Sequence, residues 1–307
     1  MSRRLTRRAG SVIAITVTAL ATAVVPAAAQ SPRPSHHGGG DGSLNILLTN
    51  DDGYGAPGIE AVRQALEEAG HDVTVVAPAD NQSGVGTKAR VHGELSARQV
   101  SRDAWKVGGS PSDCVLFALQ VVMPDDPPDL VVSGANFGQN VGTAVNRSGT
   151  VGATMTALQA GIPAIAVSAE RDPDLGKQAT LRAFPRTADL TVELVEALQQ
   201  RPGERLLPAG RTLNVNTPVF SRGESVEGVA RTVVGDRRIL QLTYRKTGDG
   251  TYQVVPSLAD DAETRRRADT TALARDKISI TPLDGDWTAQ RRDAGWLRST
   301  VRSLARR

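Results

Sequence analysis

NILLTNDDGYGAPG, residues Asn45 to Gly58, runs from an unbroken apolar stretch straight into two adjacent carboxylates and three glycines. Ile46, Leu47 and Leu48 have the character of a strand buried on both faces, the kind found inside a parallel sheet. Asp51 and Asp52 then stand at the edge of that sheet. Neighbouring carboxylates repel, and they share a site only when a cation or strong donors offset the repulsion, which points to a hard divalent metal. Asn, Asp and Gly are also the commonest turn residues, so on this segment alone a solvated turn and a metal site both stand.

Outward from this stretch the chain alternates short apolar runs with helical patterns. Strands are expected at Ile46 to Thr49, Asp72 to Ala77, Leu130 to Ser133 and Ala164 to Ser168. Helices are expected at Ile59 to Ala69, Ser112 to Val122 and Val151 to Ala160. Such alternation implies an α/β fold, a mostly parallel sheet with helices on both faces, and ligands in such sheets bind beyond the carboxyl ends of the strands. Beyond Ser168 the pattern predicts a helix at Thr187 to Gln200 and a strand at Thr212 to Asn216. Arg231 to Arg245 with Thr251 to Val255 suit a C-terminal antiparallel extension. Asp269, Thr270 and the strand Lys277 to Pro282 are expected to return the chain to the main sheet, and Thr288 to Leu304 reads as a terminal helix.

Three loops lie at the carboxyl ends of the expected strands: Thr49 to Gly53, Ala77 to Gly86 (APADNQSGVG) and Ser133 to Gly152 (SGANFGQNVGTAVNRSGTVG). All are built from glycine and small oxygen-bearing residues. Their convergence would bring Asp51, Asp52, Ser83 and Asn136 within reach of one ion, an oxygen-only set of the kind Mg²⁺, Mn²⁺ or Ca²⁺ accepts. Ser148, Gly149 and Thr150 stand at a helix start, where free amides and hydroxyls suit a phosphate; a plain helix cap is the alternative.

The N-terminus reads as a secretory signal peptide over residues 1–29: Arg3, Arg4, Arg7 and Arg8 precede an uncharged stretch from Ser11 to Val25 and then Ala27, Ala28 and Ala29. The apolar core falls short of the roughly 20 residues a membrane span needs, so no span is expected in the mature protein, which would be secreted or extracytoplasmic. Sec and twin-arginine export both fit. Residues 1–29 hold four arginines and no acid, so cleavage near Ala29 takes the formal net charge from +3 to −1 and removes the case for a nucleic-acid partner. Residues 30–43 read as a Pro-, Gly- and Ser-rich disordered linker, 44–290 as the α/β domain with its antiparallel extension over 231–256, and 291–307 as a basic helical tail. Cys114 is the only cysteine, read as a buried small hydrophobe.

These segments together resemble the survival protein SurE family of metal-dependent nucleotidases. The resemblance rests on ILLTNDDGYGAPGI (Ile46 to Ile59), APADNQSG (Ala77 to Gly84), GGSPSDCV (Gly108 to Val115) and SGANFGQNVG (Ser133 to Gly142). SGTVGATMTALQAGIPAIAVS (Ser148 to Ser168), LNVNTP (Leu213 to Pro218) and ISITPLDGDWTA (Ile278 to Ala289) extend it. It implies a Rossmann-like core, one divalent metal ion per subunit held by Asp51, Asp52, Ser83 and Asn136, and hydrolysis of nucleoside 5′- and 3′-monophosphates. It also implies a homodimer or homotetramer joined through C-terminal elements. Asp51 and Asp52 would hold and orient the ion. Asn50, Asn140 and the Ser148–Gly149–Thr150 turn would donate to the phosphate, and Tyr54 would contact base or ribose, or only pack. An exported hydrolase of other phosphoesters or polyphosphate, and a non-catalytic nucleotide- or phosphate-binding protein, are the alternatives.

Overall fold

The structure, a computed structural model, describes residues 42–202, 205–221, 225–259, 261–288, 301, 302 and 304. The expected signal peptide, all but the end of the linker, and most of the terminal helix and tail lie outside the described residues.

Why the first strand organises the molecule follows from its alternation. In β1 (Asn45–Thr49) Ile46, Leu47 and Leu48 are all fully buried, and successive side chains leave opposite faces. Ile46 and Leu48 join one core with Ile59, Val62 and Leu66 of α1 (Pro57–Glu68). Leu47 joins the other, with Cys114 and Val115 of α2 (Pro111–Phe117) and Ala153 and Ala157 of α3 (Gly149–Gln159). Each buried aliphatic contributes roughly 2 kcal/mol, so β1 is stabilised from both sides and the sheet is sandwiched between helices.

Among the described residues nine strands form one sheet. In chain order they are β1, β2 (Asp72–Pro78), β3 (Ala97–Ser101), β4 (Ala104–Val107), β5 (Leu130–Phe137), β6 (Ala164–Ala169), β7 (Thr212–Thr217), β8 (Val229–Arg231) and, after the hairpin described below, β11 (Ile278–Leu283). Across the sheet they run β3-β4-β2-β1-β5-β6-β7-β11-β8. The run from β4 to β7 is parallel, while β3 and β11 pair antiparallel to their inner neighbours. The hairpin β9 (Leu240–Gly248) and β10 (Thr251–Leu258) forms a separate antiparallel sheet. The fold class is therefore the expected one. Among the described residues no helix is long and apolar enough to cross a membrane.

Several boundaries differ from expectation. The strand expected to end at Ser133 continues to Phe137, so part of the third loop is sheet; a register shift against β6 between Ser133 and Asn136 marks where its glycine-containing, polar sequence hides strand behaviour. The helix expected from Thr187 is α4 (Lys177–Gln199), which starts ten residues earlier and carries Pro185 in its interior, a residue that argues against helix on propensity alone. The edge pair β3 and β4 has no counterpart in the sequence reading, because β3 is exposed throughout and lacks an apolar face. Within the expected antiparallel extension, β8 ends at Arg231 and the antiparallel pairing begins only at Leu240, where β9 starts.

The GGSPSD segment is a helix start. Asp113 N–H donates to Ser110 Oγ at 3.1 Å, Ser110 N–H donates to Asp113 Oδ2 at 2.8 Å, and Pro111 occupies the first turn of α2. This reciprocal cap contributes on the order of 1 kcal/mol. Cys114, one turn in, is fully buried, and burial pushes its thiol up out of reach of ionisation.

Candidate functional site

The chain leaves β1 for β2 on one side and returns later to β5 on the other, so the gap between β1 and β5 is the point where strand order reverses. Loops following those two strands open a crevice there. The three glycine-rich loops interlock at it: Gln82 N–H donates to Asp51 O at 2.7 Å, and Gly86 N–H donates to Arg147 O at 3.0 Å. The backbone N–H of Phe137 donates to Asp52 Oδ2 at 2.8 Å.

Asp51 is 3 % exposed and lies against the N-terminus of α3. Its Oδ1 accepts from the Thr150 hydroxyl at 2.8 Å. A Cβ on Gly149 would stand 2.8 Å from Asp51 Cβ, so only glycine at that position lets the carboxylate approach the helix end. Burial pushes the Asp51 carboxyl up, while the Thr150 hydroxyl and the backbone N–H groups of Thr150 and Gly149 pull it down. Burial likewise pushes Asp52 up to about 6, opposed by the Phe137 N–H and helped by the charge of Asp51. Among the described residues neither carboxylate has a cationic side chain within ion-pair distance.

Asn136, 9 % exposed, ends the bulged part of β5, and its Nδ2 donates to Gly138 O at 2.6 Å, leaving the amide oxygen as its other end. Ser83 is exposed; its N–H donates to Asn81 Oδ1 at 2.9 Å, and the Gln82 bond to Asp51 brings its backbone to the crevice. A buried Asp51 and a partly buried Asp52 without a counter-charge, at a crevice whose loops also carry the Asn136 amide and the Ser83 hydroxyl, make a donor set that fits a hard divalent cation.

The residues expected at the phosphate are placed differently from one another. Ser148 caps α3, its Oγ accepting from Val151 N–H at 3.0 Å, which leaves its own hydroxyl proton free to donate elsewhere. Asn50 closes its own turn through both ends of its amide, Nδ2 to Gly53 O at 2.9 Å and Oδ1 from Gly53 N–H at 3.3 Å. Asn140 Nδ2 donates to Ser168 Oγ at 3.0 Å and to Thr150 Oγ1 at 3.4 Å. Tyr54 is half-buried, and Lys106 Nζ lies 4.7 Å from its ring centroid, which covers one ring face.

Sequence reasoning missed the Phe137 N–H, because a backbone donor carries no residue signature. It also missed Asn214 and Asn216 of β7, both fully buried and bonded to Asn140. Their signal was visible: LNVNT alternates apolar and amide side chains in a strand flanked by others.

Glu170 follows β6 at the same sheet edge, its Oε2 accepting from Val219 N–H at 3.1 Å, and burial pushes it up to about 7. A carboxyl raised in the folded state contributes stability below its ordinary pKa, near 4.5, and that stability is lost as pH rises through 7. Glu170→Gln keeps an acceptor for Val219 and should remove this loss, raising stability at pH 8 by about 2 kcal/mol after allowance for solvent screening. Denaturant melts at pH 5 and pH 8 check it: equal pH slopes in variant and wild type would refute it.

A doubly wound α/β protein whose acidic pair sits at the reversal of strand order is the class that fold and site define. The chain belongs to the survival protein SurE family, whose model matches residues 46–241. It is 39 % identical over 254 residues to the 5′-nucleotidase SurE of Carboxydothermus hydrogenoformans, covering 80 % of this chain and 92 % of that protein. To the 5′-nucleotidase SurE of Thermosynechococcus vestitus it is 38 % identical over 258 residues, covering 80 % and 92 %. The crystal structure of the SurE protein from Aquifex aeolicus matches with a TM-score of 0.68 at 32 % identity, covering 84 % of this chain and 99 % of that one.

Proposed function

We propose that this chain is a metal-dependent phosphomonoesterase that hydrolyses nucleoside 5′- and 3′-monophosphates to nucleoside and phosphate. The observation that carries the reading is the pair of Asp51, buried, and Asp52, partly buried, both pushed up and neither offset by a cationic side chain among the described residues. Family membership and relatives named as 5′-nucleotidases support it. Asp51, Asp52, Ser83 and Asn136 would hold one Mg²⁺, Mn²⁺ or Ca²⁺ per chain. When bound, such an ion supplies positive charge against the phosphoryl oxygens and acidifies a water.

The chain's own residues do the rest. Thr150 and the amides of α3 hold Asp51 in one orientation, and Phe137 N–H does the same for Asp52. The Ser148 hydroxyl donates to the phosphate, while Asn50, Gly149, Thr150 and Asn140 frame the site with bonds made within the protein. Turnover of nucleoside 5′- and 3′-monophosphates, phosphosugars and polyphosphate, each with and without chelator, tests this reading; preference for polyphosphate would replace the substrate.

The hairpin β9–β10 supports self-association. Leu240, Leu242 and Tyr244 lie on one face with Tyr252, Val254 and Pro256 across the register, and all but Pro256 are exposed large apolar side chains. A lone two-stranded sheet is marginally stable in water and needs a surface to cover its apolar face. A second copy of this chain is that surface, so sedimentation should give a dimer or tetramer, and Tyr244→Glu with Val254→Glu should shift it toward monomer. Residues 1–29 would direct export; N-terminal sequencing of secreted protein should begin near Gln30, and retention of Met1 would contradict this.

A further inference from the structure

Strand β7 reaches the acidic pair through a chain of buried hydrogen bonds. Asn214 Nδ2 donates to Asn140 O at 2.7 Å, Asn216 Nδ2 donates to the same oxygen at 3.3 Å, and Asn140 N–H donates to Asn216 Oδ1 at 2.7 Å. The backbone of Asn140 is thus held on both its donor and its acceptor. Its amide then uses both Nδ2 hydrogens, one on Ser168 Oγ and one on Thr150 Oγ1. A hydroxyl has one proton, and Thr150 Oγ1 already accepts from Asn140, so that proton is directed onto Asp51 Oδ1, 2.8 Å away. Asn214, Asn216, Ser168 and Thr150 are all fully buried.

This polar seam is not what stability alone would select. Asn214 Oδ1 and Ser279 Oγ are buried with no hydrogen-bond partner, and an unsatisfied buried acceptor costs about 1–3 kcal/mol. Apolar side chains at these strand positions would avoid that cost. Asn214 brings instead its grip on Asn140.

We propose that Asn140, Asn214 and Asn216 are positioning residues for Asp51: β7 fixes Asn140, Asn140 fixes the Thr150 hydroxyl, and that hydroxyl fixes the carboxylate toward its cation. None of the three then needs to touch ion or substrate, and the LNVNTP segment acquires a role at a distance. The inference rests on the reading of Asp51 as a metal ligand given above.

Calorimetric titration of Mn²⁺ into the full chain tests it, with melting curves confirming that each variant is folded. Thr150→Val and Asn216→Ala should each weaken Mn²⁺ binding about 10- to 100-fold, and Thr150→Ser, which keeps the hydroxyl, should restore most of it. The double variant should bind no more weakly than the worse single one, because both changes act on one contact. At saturating Mn²⁺ the KM of Asn216→Ala for a nucleoside monophosphate should stay at the wild-type value. Should Asn216→Ala not fold, Asn140→Ala removes the amide links to Thr150 and Ser168 while keeping the backbone bonds to β7, and carries the same expectation. Mn²⁺ binding that is abolished by Asp51→Asn yet unchanged by the β7 and Asn140 variants would overturn the inference alone, as would additive losses in the double variant. A wild-type chain that binds no Mn²⁺ would overturn this inference together with the ligand reading beneath it.

Discussion

Asp51→Asn is expected to lower hydrolysis of a chromogenic phosphate ester by about three orders of magnitude, while leaving the fold intact. The size follows from what a cation supplies to a phosphoryl transition state: several kcal/mol of charge stabilisation, with each 1.4 kcal/mol worth about tenfold in rate. Fold retention follows from the site itself. Asp51 is buried and its carboxyl is pushed up, so the charged form is disfavoured in the folded chain, and an amide there still offers an oxygen to the Thr150 hydroxyl. Thermal unfolding should therefore stay at or above the wild-type midpoint. Near-native turnover in the variant would remove Asp51 from the metal site.

Gly58→Ala should destabilise the chain by about 3 kcal/mol, at the top of the range for overpacking, and it should reduce activity as well. The sign is the informative part. Helix propensity predicts that alanine inside a helix stabilises by nearly 1 kcal/mol over glycine. A Cβ on Gly58, however, would stand 1.9 Å from Ala135 O and 3.0 Å from the Phe184 ring, and backbone on β5 cannot swing aside as a flexible side chain does. Either helix α1 moves off β5 or the backbone at Ala135 shifts, and Ala135 runs directly into Asn136 and the Phe137 N–H that holds Asp52. Denaturant unfolding with a parallel activity assay checks this; a stabilised variant would show that α1 yields more easily than its contacts imply.

How much of this was legible beforehand differs between strand and loop. The β1 run, the alternation of strands and helices and the crevice position of Asp51 and Asp52 follow from apolar patterning, because buried parallel strands must be apolar on both faces. The edge pair β3 and β4 was not legible, since exposed edge strands carry little pattern. The N-terminal half of α4 was hidden by Pro185, where tertiary packing of Phe184 and Ala188 overrides propensity. At the site, the side chains of the acidic pair announced themselves, whereas Phe137 acts through its backbone and Gly149 through the absence of a side chain. Asn214 and Asn216 could have been found by asking why a sheet strand alternates amides with aliphatics. Thr150 stood among the phosphate contacts, and only the 2.8 Å approach of its hydroxyl to Asp51 Oδ1 in the fold ties it to that carboxylate.

On the function proposed above, the Asp51 and Asp52 pair holds a divalent ion on which hydrolysis depends. The most direct test is turnover of a nucleoside 5′-monophosphate by the full chain before chelation, in excess chelator, and after addition of Mg²⁺ or Mn²⁺ beyond the chelator. Activity should fall to background with chelator and return with the ion, and it should not return in Asp51→Asn. Undiminished turnover in chelator would show that hydrolysis needs no ion at Asp51 and Asp52.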